Sequence, residues 1–508
     1  MQFLIDVALI SVYLCGFLLL CAWTWRFWVF YINQKYINGI KWALLEIKLP
    51  REIMKSPLAT ETAIASLLQG GGIGNWRAKF WLGNLPIYGS LEIASIEGVI
   101  HFYVRVQRKF IPLVESNFYA QYPGIEITEA DDYTKRIRYD HLKKDKTSIW
   151  GITYKLGGKW TPTDQKTGKP YKDKKGDSYK MPADFLPIKT YVDYGLEKDP
   201  KEEFKIDPIT LLLESMGRVG KGEHVWYQIM VQDEGAFNGK KFPKLYVNEA
   251  SPSHESYNLS EMADARKKQI RNYKKIKAGD IAYDQQGNPV QRTVVKDGKA
   301  ELQPVTYGED RELQKKEAEL IVEEKDEIEA INNKTAKPLA CVTMRILYLS
   351  DSKVAKFNAD YIQDTLSFVK PFAGANSFVP RPTDPYDYPW QNLNKVRSNW
   401  RAEELFQNYV EREGFTPHSV IEHSDSSMSM EAWLDRVLVG SSMKTRKFFE
   451  MLYTIVFHPF SHPKPADVFV LNTEEIATLW HLPGTVASTP TLPRIDSTKG
   501  VPPVNLPR

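Results

Sequence analysis

Hydrophobic and polar positions divide the chain into a front run without charge and a long body of short alternating segments. Residues 7–25 make 19 uncharged positions between Asp6 and Arg26. At roughly 1.5 Å of rise per residue, a helix of that length crosses a hydrocarbon core of about 30 Å. A cleaved secretory signal would place Lys or Arg ahead of the run and small residues behind it. Here Asp6 precedes it and Trp23, Trp25 and Trp28 end it. The pattern predicts a retained single-pass anchor over residues 1–34, with the lipid bilayer as first partner. Positive charge stands only on the distal side, at Arg26, Lys35, Lys41 and Lys48. The positive-inside bias therefore predicts a plasma (inner) membrane protein with a short outer amino terminus and a cytoplasmic body, and Tyr13, Tyr31 and the three tryptophans suit interfacial belts.

After the anchor, residues 42–49 read as a strand. Ser56-Pro57 then offers an N-cap with proline at the first helical position, before apolar Leu58, Ala63, Ile64, Leu67 and Leu68. Residues 91–96 and 99–106 are β-rich runs split by Glu97-Gly98, a hairpin signal. Phe110, Leu113, Val114 and Phe118 trace a helix stopped by Pro123-Gly124, and residues 125–128 form a short strand. The order β-α-β-β-α-β over residues 35–134 is the ferredoxin-like split pattern. It recurs over residues 188–400: strand 188–194, a helix opened by Asp207-Pro208, strands 223–232 and 339–349, helix 353–369 and strand 376–379. The predicted fold class is thus α+β, a transmembrane helix followed by two tandem ferredoxin-like units. Residues 135–187 read as a Lys-rich linker, 401–484 as a helical region and 485–508 as a Pro-rich tail.

The second unit carries an insertion, residues 233–338, far longer than an ordinary loop. Its ends, 258–277 and 310–333, read as two solvated helices forming a projecting helical hairpin. The first arm bears Arg266, Lys267, Lys268, Arg271, Lys274, Lys275 and Lys277. That set is a candidate patch for nucleic-acid phosphates or anionic lipid, against the plainer reading that the basic arm pairs with the acidic second arm.

Composition narrows the chemistry. A net charge of +4 on 508 residues gives no general basis for binding nucleic acid, so any basic surface is local. Cys15 and Cys21 lie in the membrane run and Cys341 in an apolar strand pattern, which rules out a disulfide framework and fits a reducing compartment. A phosphate loop needs glycines followed by Lys and a hydroxyl residue. Gly70–Gly74 contains no lysine, and in the run 217–222 Gly222 follows Lys221 where Ser or Thr is required. His458 and His462 are separated by Pro459, which breaks the helix that would align them on a metal. No catalytic residue, metal or other cofactor is expected, and the chain reads as a non-enzyme.

Near the carboxyl end, Asn472 and Glu475 form a capping box for a helix through Ile476, Leu479 and Trp480, stopped by Leu482-Pro483-Gly484. The segment 471–484, with 489–494 (Thr-Pro-Thr-Leu-Pro-Arg) and 502–507 (Pro-Pro-Val-Asn-Leu-Pro), resembles the stretch preceding the ATPase core in type IV secretion and conjugation ATPases of the HerA/FtsK type. The front segments 45–52 (Leu-Glu-Ile-Lys-Leu-Pro-Arg-Glu), 55–59, 91–98 and 119–123 are similar to the membrane-anchored, functionally uncharacterised amino-terminal region of the same proteins. The matching motifs are structural, so the resemblance carries over no catalytic residue.

This sequence contains no Walker-type lysine before Arg508, so the resemblance implies either a motor on a separate polypeptide or the front portion of a longer architecture. It implies a non-catalytic component that docks such an ATPase at the cytoplasmic face, with Asn472, Glu475, Trp480, His481, Pro503, Asn505 and Leu506 as candidate docking residues. Two alternatives stand beside it. One is a DNA-handling adaptor using the basic arm; the other is a membrane scaffold that assembles with copies of itself as a homo-oligomer.

Overall fold

The computed structural model describes residues 2–50, 55–68, 76–85, 88–137, 139, 147–163, 170–173, 176–197, 207–232, 246–247, 256–271, 274–276, 291–296, 299–305, 311–313, 320–351, 353–383, 396–415, 445, 448–449, 452, 468–484 and 492–495. The first helix, α1 (Gln2–Gly39), is 38 residues long and contains the uncharged run. Within that run the side chains of residues 7–9, 11, 12 and 15 lie outside the described residues. Among the described residues, no helix is long and apolar enough to cross a membrane.

The first α+β set comprises β1 (Trp42–Pro50), α2 (Pro57–Leu67), α3 (Trp76–Phe80), β2 (Tyr88–Ile96), β3 (Val99–Gln107), α4 (Ile111–Gln121) and β4 (Glu126–Ala130). Pro57 opens α2 as its pattern predicts, but the Ser56 side chain makes no cap hydrogen bond. At the β2–β3 turn, Glu97 (φ 53°) and Gly98 (φ 89°) both take the left-handed conformation that a tight two-residue hairpin requires. A Cβ on Gly98 would also stand 2.6 Å from the Val219 carbonyl oxygen.

The second set is β5 (Thr147–Leu156), α5 (Ile209–Gly217), β6 (Glu223–Gln232), the insertion, β11 (Leu339–Asp351), α8 (Asp360–Ser367) and β12 (Phe378–Pro382). Its first strand corrects the sequence expectation. Residues 188–194 lie outside any strand, mostly in turns, and the strand is 147–156, within the stretch read as a linker. Trp150, Ile152, Tyr154 and Leu156 alternate toward the core, a period-two signal obscured by lysines on both flanks. Ile188 and Tyr191 are buried in a loop instead. Their backbone amides donate to Glu475 Oε1 (3.0 Å) and Thr478 Oγ1 (3.0 Å).

The insertion also departs from a simple helical hairpin. It holds α6 (Leu259–Ile270), β7 (Lys274–Ile276), β8 (Gln291–Lys296), β9 (Lys299–Pro304), β10 (Arg311–Leu313) and α7 (Val322–Ala336). β7 pairs β10 and β8 pairs β9, both antiparallel. The Thr-Val-Val run ahead of Asp297-Gly298 is the β-hairpin signal that charge composition masked. Following β12, α9 (Val396–Glu411), β13 (Phe469–Asn472), α10 (Thr473–Leu479) and β14 (Arg494–Ile495) complete the described elements used below.

Ten of the described strands form one sheet in the order β12-β5-β11-β6-β2-β3-β1-β14, with β13 beside the start of β11 and β4 beside β1. All pairs are antiparallel except β1 with β14. The first set therefore runs β4-β1-β3-β2 and the second β12-β5-β11-β6. The two meet where β2 pairs β6, from Tyr88 opposite Gln232 to Ile96 opposite His224. Each set alone would expose that strand as an edge, and the pairing removes both edges.

One face of the sheet is buried under α2, α4, α5, α8 and α10, with Phe102, Phe118, Tyr227 and Trp480 at its centre. The opposite face is covered at the seam by α9, whose Leu405, Phe406 and Tyr409 pack on Tyr103, Trp226 and Leu347. Fully burying side chains of this size contributes about 1.5–3 kcal/mol each, so each face of the sheet carries a core of its own. Gly98→Ala is expected to destabilise the full chain in detergent by roughly 1–3 kcal/mol, read from urea unfolding, because the β2–β3 turn must then strain or shift.

Candidate functional site

A dense group of buried charge lies on the α9 face, where the two halves of the sheet meet. Strand alternation puts Ser90 and Glu92 of β2, Gln228 of β6 and Arg345 of β11 on that face, and the residue following α9, Arg412, reaches across it. Glu92 is fully buried. Its Oε1 accepts from Ser90 Oγ (2.6 Å), Gln228 Nε2 (2.9 Å) and Arg412 Nε (3.0 Å), and its Oε2 from the Tyr133 hydroxyl (2.8 Å) and Arg412 Nη2 (3.2 Å). Arg412 Nη1 also donates to Asp132 Oδ2 at 2.5 Å, and Tyr133 shares a 2.7 Å hydrogen bond with Tyr409.

Burial works against the charge on Glu92. Arg412, with the hydrogen bonds from Arg412, Ser90 and Tyr133, outweighs it and holds the carboxyl below its usual range. Asp132 is held low in the same way, against burial, by Arg412 and Thr134. Burial also keeps the Tyr133 and Tyr409 hydroxyls protonated well beyond the usual tyrosine range. Glu92 is thus held toward its charged form, with both oxygens occupied as acceptors. Arg412 adopts φ 54°, a left-handed conformation that usually falls to glycine at a helix end. Here the guanidinium's bonds to both carboxylates offset that strain.

Arg105 and Arg345 lie on the same face, and burial lowers each guanidinium to about 10. Arg105 stacks 4.1 Å over the Trp42 ring, and Arg345 donates to the Glu413 carbonyl. The arrangement clamps Glu92 of the first half, Gln228 of the second and the end of α9 into one unit. The sequence reading passed over Glu92, because a polar residue alternating in a strand ordinarily faces solvent, and Arg412, because a basic residue after a helix ordinarily does too.

A second buried group surrounds α10. The capping box forms: Asn472 Oδ1 accepts from the Glu475 amide and Glu475 Oε2 from the Asn472 amide, each at 2.8 Å. Glu475 also receives Lys334 Nζ at 3.1 Å, with both side chains fully buried. Burial pushes the Glu475 carboxyl up, against the pull of Lys334 and the backbone amides of Asn472 and Ile188. Glu61 joins Tyr191 (2.5 Å), Lys337 (2.8 Å) and Thr473 (3.0 Å). His481 Nε2 lies 2.9 Å from Asp207 Oδ2.

These contacts correct the docking expectation. Asn472, Glu475, Trp480 and His481 are between 0 and 2% exposed and fasten α10 to the sheet, so their side chains present no surface to a partner. Trp480 packs edge-on against Phe102 and Phe118. Pro503, Asn505 and Leu506 lie outside the described residues, as do His458, His462 and Gly70–Gly74.

The basic arm is divided. Arg266 holds Glu327 of α7 through two bonds, at 2.8 and 3.1 Å, and Lys267 meets Asp264 (3.1 Å) and Asn332 (3.2 Å). The two arms thus pair through Arg266, which is the plainer of the two readings. Lys268 is exposed on α6, and Arg271, just past its end, is half-buried. Lys274 and Lys275 are in β7 with side chains outside the described residues, as is all of Lys277.

Removing one partner of the seam clamp leaves a buried, uncompensated charge. Arg412→Met is expected to lose about 3–5 kcal/mol of stability, and the double variant Glu92→Leu/Arg412→Met much less than the sum of the singles, in a denaturant double-mutant cycle.

The Asp207–His481 pair makes a pH prediction. Burial raises the Asp207 carboxyl, but His481 outweighs it and the net position is lowered; burial lowers His481, but Asp207 outweighs it and the net position is raised. Stability from the pair is present above the ordinary Asp pKa of 3.8 and below the ordinary His pKa of 6.5. It is lost as pH falls through the lowered Asp207 value or rises through the raised His481 value. The stability deficit of His481→Asn relative to the native chain should therefore be larger at about pH 5.5 than at about pH 9, measured by urea unfolding at each pH.

No protein-family model, no curated protein and no solved structure matches this chain.

Proposed function

We propose that the protein is a membrane-anchored, non-catalytic component of a type IV secretion, conjugation or pilus-like machine, whose cytoplasmic body docks a separate HerA/FtsK-type ATPase. The observation that carries the anchored reading is α1. Its Phe17, Leu18, Leu19 and Leu20 are exposed at 62, 55, 37 and 58%, four successive positions that cover every side of the helix. A helix apolar on all sides and unpacked is stable in lipid, not in water.

The body reads as two ferredoxin-like units joined edge to edge. The pairing orders β4-β1-β3-β2 and β12-β5-β11-β6 support this, since each places its set's fourth, first, third and second strands side by side. A duplicated sheet with its charged residues locked into internal clamps suits a rigid frame better than a reaction centre. The place in a secretion or conjugation machine, and the ATPase as partner, rest on the resemblance of segments 45–59, 91–98, 119–123 and 471–507. Because Asn472, Glu475, Trp480 and His481 are inside the core, the docking element falls to the chain beyond β14, including Pro503, Asn505 and Leu506.

The test has two arms. Deletion of residues 2–25 should move the protein from alkaline-washed membranes to the soluble fraction; retention in the membrane would refute the anchor. Affinity capture in mild detergent, with mass spectrometry, should recover a HerA/FtsK-type ATPase with the full chain and lose it with a chain ended after Ile495. Capture of copies of the same chain alone would instead favour a self-assembling scaffold.

A further inference from the structure

The membrane-proximal end of α1 carries a second element, 52 residues further along the chain at the Trp28–Phe80 contact. Trp28 Nε1 donates to the Phe80 carbonyl at 3.0 Å, Trp25 packs on Phe80 with centroids 5.5 Å apart, and Trp28 meets Trp81 edge-on at 5.7 Å. Gly83 (φ 68°) closes the contact, because a Cβ there would stand 2.4 Å from the Ile32 carbonyl oxygen. The turn after α3 therefore lies directly on the α1 backbone, and Ile32 is buried beneath it. Among the described residues, the outer side of this element is open. Trp76, Trp81 and Leu82 are exposed at 61, 52 and 59%, continuous with exposed Trp25, Trp28 and Tyr31.

We propose that residues 76–82 form a second membrane contact, an interfacial element that lies in the headgroup region of an anionic bilayer beside α1 and sets the depth of the body. The proposal rests on the anchor reading above. Distance along α1 supports it. Gly16 is the midpoint of the uncharged run, and Trp28 stands 12 residues beyond it, roughly 18 Å at helical rise. Half a hydrocarbon core is about 15 Å, so the Trp28–Trp81 contact falls just outside the acyl region, in the headgroups. Tryptophan rings suit that layer because an apolar face meets the acyl boundary while the indole N–H meets polar groups. The element also carries exposed Arg77, and Lys79 beside it in sequence, so its charge matches anionic lipid. Exposed aromatic rings clustered against a helix, with basic residues beside them in sequence, fit a lipid interface better than open water.

The experiment places an environment-sensitive fluorophore on Leu82→Cys in the full chain, with Cys15, Cys21 and Cys341 replaced by alanine. The protein is reconstituted in nanodiscs of phosphatidylcholine and phosphatidylglycerol, with or without a quencher near the top of the acyl chain. The label at position 82 should lose most of its emission to the lipid quencher, and a control label on Lys353→Cys, beyond the opposite end of β11, should keep it. Emission at position 82 that stays water-like, or is shielded but unaffected by the quencher, overturns the proposal; the shielded result would indicate a protein occupant. Alkaline-washed membranes are assayed in parallel. A chain retained there without quenching at position 82 sinks this inference alone, whereas a chain washed out sinks the anchor reading with it.

Discussion

The fold depends on a charge that cannot leave. Glu92 sits in a central strand with its carboxylate shielded from water, and its two oxygens accept five hydrogen bonds from residues of β2, β6, the turn after β4 and the end of α9. An isolated carboxylate in that position would be costly, so the geometry holds only while Arg412 is present and α9 is docked. The clamp thereby couples three events: pairing of β2 with β6, docking of α9 across the seam, and ordering of the turn at Asp132 and Tyr133. It favours one register at the junction, because a slip of one residue would turn Glu92 to the face buried under α2 and α4.

The other end of the chain is secured by the same means. α10 has only seven residues, too few to be stable alone, yet every residue from Glu475 to Leu482 is buried. It is held by the Asn472–Glu475 capping box, by Lys334 from α7, by Glu61 of α2 through Thr473, and by Asp207 through His481. Residues far apart in sequence thus converge on one short helix. The insertion is tied into the body through α7 and Lys334, with Arg266 and Glu327 closing α6 on α7. In the proposed machine component, such a body would transmit the position of its membrane anchor to a docked partner with little internal give.

Local signals were legible wherever they had a local cause. Pro57 at the start of α2, Glu97-Gly98 at the hairpin, Pro123-Gly124 after α4 and the Asn472–Glu475 box each specify a backbone conformation within a few residues. The strand at 147–156 was missed because its alternation is flanked by lysines, while the apolar residues at 188 and 191 suggested a strand and serve instead as a loop docked on α10. The basic arm left two readings open, a binding patch or a pair with the acidic second arm, because sequence does not show which residues meet; Arg266 meets Glu327, 61 residues away.

The sequence by itself determined an α+β body, the uncharged run at its front, and most of the elements of both halves, because helix caps, tight turns and alternation are interactions among near neighbours. Only the tertiary structure decided that the two halves share one continuous sheet, that the polar side of β2 and β6 is an interior, and that Asn472, Glu475, Trp480 and His481, read as part of a docking face, are core. Whether a polar strand position faces water or an arginine depends on which helix lies over it. That is set by α9 packing more than 300 residues from Glu92, a distance along the chain at which no local pattern carries information.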